Sequence, residues 1–324
     1  MIPYIDLHCD TLMKAWMRGK QDIRDPGGMV SLDSLKRGGC KAQFFAIFMP
    51  PVNLKKIVGP LFPKDEAYIQ KNLQIFRNTL DRYPDVLAKA HCAEDIQGNW
   101  KDGKLSGILT LEDGRAVDGK LENLDRFYRQ GIRLISLTWN HPNCFGSPNS
   151  LNPAVMETGL TAFGKDAIAR MNELGMMVDV SHLSDGGFWD VAQLSQKPFV
   201  ASHSNCRSLN PHTRSMTDDM IRALAEKGGV MGVNFGPEFL TLNAKAKESR
   251  LEYIVAQLRH MVNIGGEDCA AIGTDFDGIN GKFDIGSPDQ MPQLFRALES
   301  NGFPADLIEK IAYRNAERVI FEVM

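Results

Sequence analysis

The sequence has no apolar run long enough to span a bilayer. Its most apolar stretch, Phe44 to Val52, falls far short of the ~18 residues a spanning helix needs, and it holds two prolines. No export leader is expected either. The opening MIPYIDLHCD carries two Asp and one His, with no basic stretch and no apolar segment behind it. The closing RVIFEVM is too short for a lipid-anchor tail, so no membrane anchor is expected. There is no excess of one charge: 37 Lys+Arg stand against 40 Asp+Glu, a formal net charge of -3. Without a basic surplus to neutralise phosphates, nucleic acid is excluded as the main partner. The six cysteines (Cys9, Cys40, Cys92, Cys144, Cys206, Cys269) are scattered and form no C-x-x-C pair. Free thiols in a reducing, cytoplasmic setting are expected rather than a disulfide framework. Repeats and low-complexity tracts are absent. So are G-x-G-x-x-G, G-x-x-x-x-G-K-[ST], G-x-S-x-G and H-E-x-x-H. The run from Asp275 to Gly278 starts like a calcium loop, but Gly286 stands where that loop requires Glu.

What is present is ordinary globular composition, 43% hydrophobic and 24% charged. At about 150 residues per domain, 324 residues could make two domains, yet one α/β barrel also fits this length. The pattern favours the barrel. Short apolar runs at Pro3–His8, Ala42–Met49, Ser106–Glu112, Arg133–Trp139, Met176–His182, Phe199–His203, Gly229–Phe235 and Ala270–Asp275 read as parallel strands buried on both faces. Helical spacing appears between them at Asp65–Arg82, Leu121–Tyr128, Thr161–Leu174, Asp218–Glu226, Leu251–Val262 and Met291–Leu298. Thr217 is placed to cap one helix, and Gly131, Gly175 and Gly228 follow helical runs where a C-cap glycine belongs. A (β/α)8 TIM barrel in a single domain, residues 1–324, is therefore expected, with an open doubly wound sheet as the alternative. A final helix pair, Ala305–Tyr313 and Asn315–Val323, should pack outside the barrel or mediate dimerisation.

Polar residues gather where these strands end. In barrel enzymes the C-terminal strand ends form the active site. Here they supply His8 and Asp10, Glu112, His141, His182, His203 and Asp275. One such His is more often a hydrogen-bonded core residue than a ligand. Several, together with a lone Glu and an H-x-D pair, point to metal, since buried imidazoles and carboxylates are costly unless paired or coordinated. His8 and Asp10 are two apart on an extended strand and share a face. Three imidazoles and two carboxylates form an N/O set suited to zinc or another divalent transition metal. They are too many for one tetrahedral ion with an open position and suit two ions sharing a carboxylate. His8 and Asp10 would hold one ion, His182 and His203 the other, and Glu112, alone on its strand, would bridge. Asp6 and Asp179 read as supports. His91, His212 and His260 read as loop or helix-surface residues. Cys9 should point away from its neighbours, and Trp16 and Trp139 read as packing or pocket wall.

These pieces resemble the membrane (renal-type) dipeptidase family of binuclear zinc peptidases, as a bacterial-type soluble member. The matching motifs are D-x-H-x-D-T from Asp6 to Thr11, L-x-x-E-x-G around Glu112, L-T-x-x-H to His141, D-x-S-H to His182, S-H-S around His203, the run from Arg214 to Asp218, and G-x-D-F-D-G to Gly278. They occur in family order across almost the whole chain. The resemblance implies an amidohydrolase-type barrel, two Zn2+ ions, and dipeptide hydrolysis at a C-terminal L- or D-residue by a metal-bridged hydroxide. It implies that His141 stabilises the oxyanion, Arg214 holds the substrate's terminal carboxylate and Asp275 moves the proton. Family members are often homodimers. Two departures stand out: Cys9 between the first ligands, and Ser215-Met216 after Arg214. The rival readings are another binuclear amidohydrolase or lactonase on the same barrel, and a non-catalytic metal-binding barrel. Against the first, the opening motif is H-x-D rather than H-x-H, and Arg133–Asn140 contains no bridging Lys. Against the second, Asp275, His141 and Arg214 are all present.

Overall fold

The barrel strands are β1 (Tyr4–Cys9), β2 (Cys40–Phe48), β3 (Leu105–Glu112), β4 (Ile132–Ser136), β5 (Met177–Asp179), β6 (Val200–Ser204), β7 (Val230–Val233) and β8 (Ala270–Ile272). The computed structural model describes residues 1–51, 63–241 and 247–324. All neighbouring barrel strands pair in parallel. β1 lies between β2 and β8, and β2 meets β3 from Ala42↔Ser106 to Phe48↔Glu112, which closes the ring. A short strand, Leu87–Lys89, adds to the start of β3 before β4 begins to pair there. The expected (β/α)8 barrel is thus the observed fold, and each expected strand has its counterpart.

The two-residue period of a strand explains the core. Ala42 and Phe44 of β2, Ile108 of β3, Leu134 of β4, Met177 of β5, Val200 of β6, Val230 of β7 and Ala271 of β8 form one buried cluster inside the ring. Their alternates, such as Phe45, Ile47, Leu109, Leu111, Ile135 and Val178, pack outward into a second cluster shared with the helices. Because both faces are covered, the strands read as unbroken apolar runs. On β3 the inward row is Ile108, Thr110, Glu112, so the same period delivers Glu112 to the barrel's open end.

Helix ends follow local chemistry. The Thr217 side chain accepts from Met220 N at the head of Asp218–Glu226. Gly175 ends Ala162–Leu174 at φ +72°, a left-handed cap that other residues adopt at a cost. Helices at Thr11–Met17, Leu32–Gly38, Ala93–Lys101 and Asp185–Leu194 were not legible in the sequence pattern. The last helix corrects an expectation. Asn315–Val323 does not pack on the outer ring but turns one apolar face into the barrel's N-terminal end. Ala316, Val319, Ile320 and Val323, spaced for one helix face, join the interior strand cluster and stopper the N-terminal end. The helix is tied down by Lys41 Nζ to Glu317 Oε1 at 2.8 Å. Ile320→Ala should lower the unfolding free energy by about 2–5 kcal/mol in denaturant titration, the range for a buried cavity. A loss below about 1 kcal/mol would show that this helix is not core. Among the described residues, no helix is long and apolar enough to cross a membrane.

Candidate active site

A cavity of about 880 Å³ opens at the C-terminal ends of the strands, bounded by Asp10, Glu112, Trp139, His182, Arg214 and Asp275 among others. Beneath it the expected ligands converge. His8 Nε2 lies 3.4 Å from Glu112 Oε2 and 3.9 Å from both Asp10 Oδ1 and Asp275 Oδ1. On the other side, Glu112 Oε1 lies 2.9 Å from His182 Nε2 and 3.6 Å from His203 Nε2, and those two nitrogens are 3.0 Å apart. Glu112 therefore stands between two clusters, His8–Asp10 and His182–His203, with one oxygen toward each. Asp275 also groups with His8 and His203.

The backbone makes this convergence. The His8 and His203 rings, from β1 and β6, stack at 3.9 Å between centroids. The intervening strands carry Gly232 and Gly273, and a Cβ on Gly273 would fall 1.8 Å from the Ser202 carbonyl oxygen. Without side chains there, β6 can press inward towards β1. Asp275 and Asp277 adopt φ +62° and +70°, a sparsely populated region for non-glycine residues that turns the Asp275 carboxylate into the site. A Cβ at Gly278 would lie 2.3 Å from Asp10 Oδ2 and 2.4 Å from Asp275 Oδ1, so only glycine leaves room for both carboxylates.

The electrostatics are those of carboxylates and imidazoles crowded together out of water. Burial pushes His8 down, but Glu112, Asp10 and Asp275 outweigh it and raise its pKa to about 10. Burial lowers His182 to about 4, with Arg214 adding to the shift, and burial likewise lowers His203. Burial raises Asp275 to about 6 and, with Glu112 beside it, holds Asp10 well above the carboxylate range. Burial acts the same way on Glu112, but its three imidazole neighbours keep it ionised. Buried His8 Nδ1 and Nε2, Asp10 Oδ1 and Glu112 Oε2 have no hydrogen-bond partner. An orphaned buried polar atom costs about 1–3 kcal/mol, so three together, His8 Nε2, Asp10 Oδ1 and Glu112 Oε2, favour another occupant. Lone pairs of two imidazoles and a carboxylate facing each other at these distances fit divalent cations.

Supporting side chains fix the cluster. Asp6 accepts from Thr274 N at 2.9 Å and Thr274 Oγ1 at 2.7 Å, tying β1 to the segment that follows β8. Asp179 accepts from Ser136, Ser181 and Ser202 beneath His182 and His203. Asn234 Nδ2 donates to Asp275 Oδ2 at 2.8 Å. Asp277 holds the segment around Met29 by accepting from its N–H at 2.6 Å. Asn234 had no sequence signal. Ser181 and Ser202 did, as hydroxyls next to His182 and His203.

Arg214 is buried, its pKa lowered to about 10 by burial. Nη2 donates to the His203 carbonyl at 3.2 Å, while Nη1 is buried with no hydrogen-bond partner, and the residue lines the cavity. His141 does not join the cluster. It is exposed at the rim, its ring 6.1 Å from Trp139, while Trp139 itself walls the cavity with Phe48. His212 is the exposed loop residue expected, and it also lines the cavity, edge-on to Phe239, with its Nδ1 accepting from Arg214 N at 3.1 Å. Trp16 packs edge-on against Tyr68, and Cys9 is buried, its thiol pushed up by burial. All six cysteines are free.

Comparison with known proteins agrees with this geometry. Residues 1–324 match the family model described as membrane dipeptidase (peptidase family M19). An uncharacterized protein in the pqqA 5′ region of Klebsiella pneumoniae is 38% identical over 71% of this chain and 87% of its own. The crystal structure of dipeptidase AC, a metallopeptidase, superposes with a TM-score of 0.88 at 29% identity, covering 99% of this chain and 98% of that one. A Rhodobacter sphaeroides metallopeptidase, solved with a phosphinate mimic of the dipeptide L-Ala-D-Ala, gives 0.86 at 28% identity, covering 100% and 99%. The chain belongs to the membrane dipeptidase family, peptidase family M19.

Proposed function

We propose that this metal-dependent dipeptidase works as one catalytic unit with two divalent ions, zinc first among them. His8 and Asp10 would hold one ion, His182 and His203 the other, and Glu112 would bridge. The convergence of candidate ligand atoms on either side of Glu112, with His8 Nε2, Asp10 Oδ1 and Glu112 Oε2 left unpaired on one side, carries this reading. When bound, the ions supply Lewis acidity toward the scissile carbonyl and lower the pKa of water from 15.7 towards about 7.

The chain's own residues do the rest. The planar Arg214 fork offers Nη1 to the substrate's terminal carboxylate, and its burial strengthens that pairing. This limits the site to short substrates with a free C-terminus. Asp275 accepts the attacking water's proton at Oδ1 and passes it to the leaving amine, while Asn234 holds Oδ2 still. His141 reaches the developing oxyanion from the rim. Phe48, Trp139 and Phe239 exclude water from the reacting centre. The Rhodobacter sphaeroides complex supports acceptance of a C-terminal D-residue. A cytoplasmic setting, which the free thiols support, and a homodimer complete the reading.

A dipeptide panel with L- and D-residues at the C-terminal position tests the assignment, with C-terminally amidated analogues as controls. Arg214→Ala should raise KM for free-carboxylate dipeptides, costing roughly 30-fold or more in kcat/KM, as for truncating one member of a buried charged pair. Equal losses on amidated analogues would refute the carboxylate contact.

A further inference from the structure

The two halves of the ligand cluster are braced unequally. His203 Nδ1 lies 2.8 Å from Ser202 Oγ, which lies 2.7 Å from Asp179 Oδ2. Asp179 also accepts from Ser136 Oγ at 2.5 Å, Ser181 Oγ at 2.6 Å, and the N–H groups of Ser181 and Ser202 at 3.0 and 2.9 Å. Both carboxylate oxygens are thus committed as acceptors. A serine hydroxyl has a single proton. Ser202 gives it to Asp179 and accepts from His203 Nδ1–H. That fixes the His203 tautomer with its lone pair on Nε2, the atom facing His182 and Glu112. A carboxylate behind the ring, relayed by a hydroxyl, also makes the imidazole a better ligand. His182 is fixed the same way by Asn140 Oδ1, 3.3 Å from its Nδ1. His8 has no such brace: its Nδ1 is buried without a hydrogen-bond partner, and its ring is set by stacking on His203.

Charge opposes this asymmetry, because the His8 half adds Asp10 to the shared Glu112 and lies close to Asp275. For nitrogen-preferring ions the imidazole count decides; for oxygen-preferring ions the carboxylates would. We infer that, for zinc-like ions, Asp179, Ser202 and Asn140 make the His182–His203–Glu112 half the tighter site, filled first and emptied last. Ser202 is its positioning residue. The inference rests on the two-ion reading.

Cadmium-113 serves as the probe, added stepwise to metal-free full-length protein and followed by NMR and by competition with a chromophoric chelator. The first equivalent should give one signal, identified as the two-imidazole environment because His203→Asn displaces it. The second equivalent should give the other signal. Ser202→Ala should weaken the first site about 10–100-fold and shift its signal, while Ser202→Thr, which keeps the hydroxyl, should restore both. Asn140→Ala, at an exposed position that does not threaten folding, should weaken the same site by a smaller factor. Filling of the His8–Asp10 half first, or of both halves together, would overturn the inference. So would Ser202→Ala and Asn140→Ala proteins whose first-site affinity and signal match wild type. Wild-type protein that takes up no cadmium would instead overturn the two-ion reading itself.

Discussion

Asp275→Asn is expected to leave two ions per chain bound and to lower kcat for dipeptides by about 10²–10⁴-fold, the usual worth of a positioned general base. Asn is nearly the same shape, and its side chain can still meet Asn234, which holds Asp275 Oδ2 at 2.8 Å. It can also keep the left-handed backbone at φ +62°, which Asn tolerates better than most residues. What it cannot do is accept a proton. Elemental analysis and steady-state kinetics on one preparation separate the outcomes. Near wild-type turnover would remove Asp275 from proton transfer. Loss of metal along with activity would make it a ligand, a role its position near His8 and His203 allows.

Glu112→Gln should be more damaging and in a different way. The bridging position faces imidazole nitrogens on both sides, at 2.9 and 3.6 Å from Oε1 and 3.4 Å from Oε2. The amide removes the shared negative charge and turns one end into a hydrogen-bond donor aimed at nitrogen lone pairs. Metal content should fall below one ion per chain, and activity by roughly 10³-fold or more, since groups that act as a unit fail together. The fold should survive, because the inward apolar rows and the C-terminal helix do not depend on this residue. Two ions retained with substantial turnover would show that Glu112 does not bridge.

Most of the site was legible because strand ends are local. An apolar run followed by Ile5-Asp6-Leu7-His8-Cys9-Asp10, or by Asp179-Val180-Ser181-His182, states both the strand and what it carries. The convergence of those ends depends on features that no local pattern reveals. Gly232 and Gly273 matter only because Ser202 of a neighbouring strand presses against them. Asn234 matters only because Asp275, 41 residues away, lies beside it. His212 is the loop residue it looked like, but its place on the cavity wall rests on Phe239, which is distant in sequence. The last helix was misplaced because its apolar stripe fits a partner surface or a barrel floor equally well, and only the closed ring supplies the floor. His141 was expected within the site and stands at its rim, since a strand-end position fixes where a loop starts and not how it folds back.

The most direct test is the metal content of the purified wild-type chain, measured with dipeptide hydrolysis before and after chelation. Two transition-metal ions per chain are expected, with hydrolysis abolished by the chelator and restored as two equivalents return. A chain that holds no such metal and still cleaves dipeptides in the presence of chelator would contradict the binuclear site.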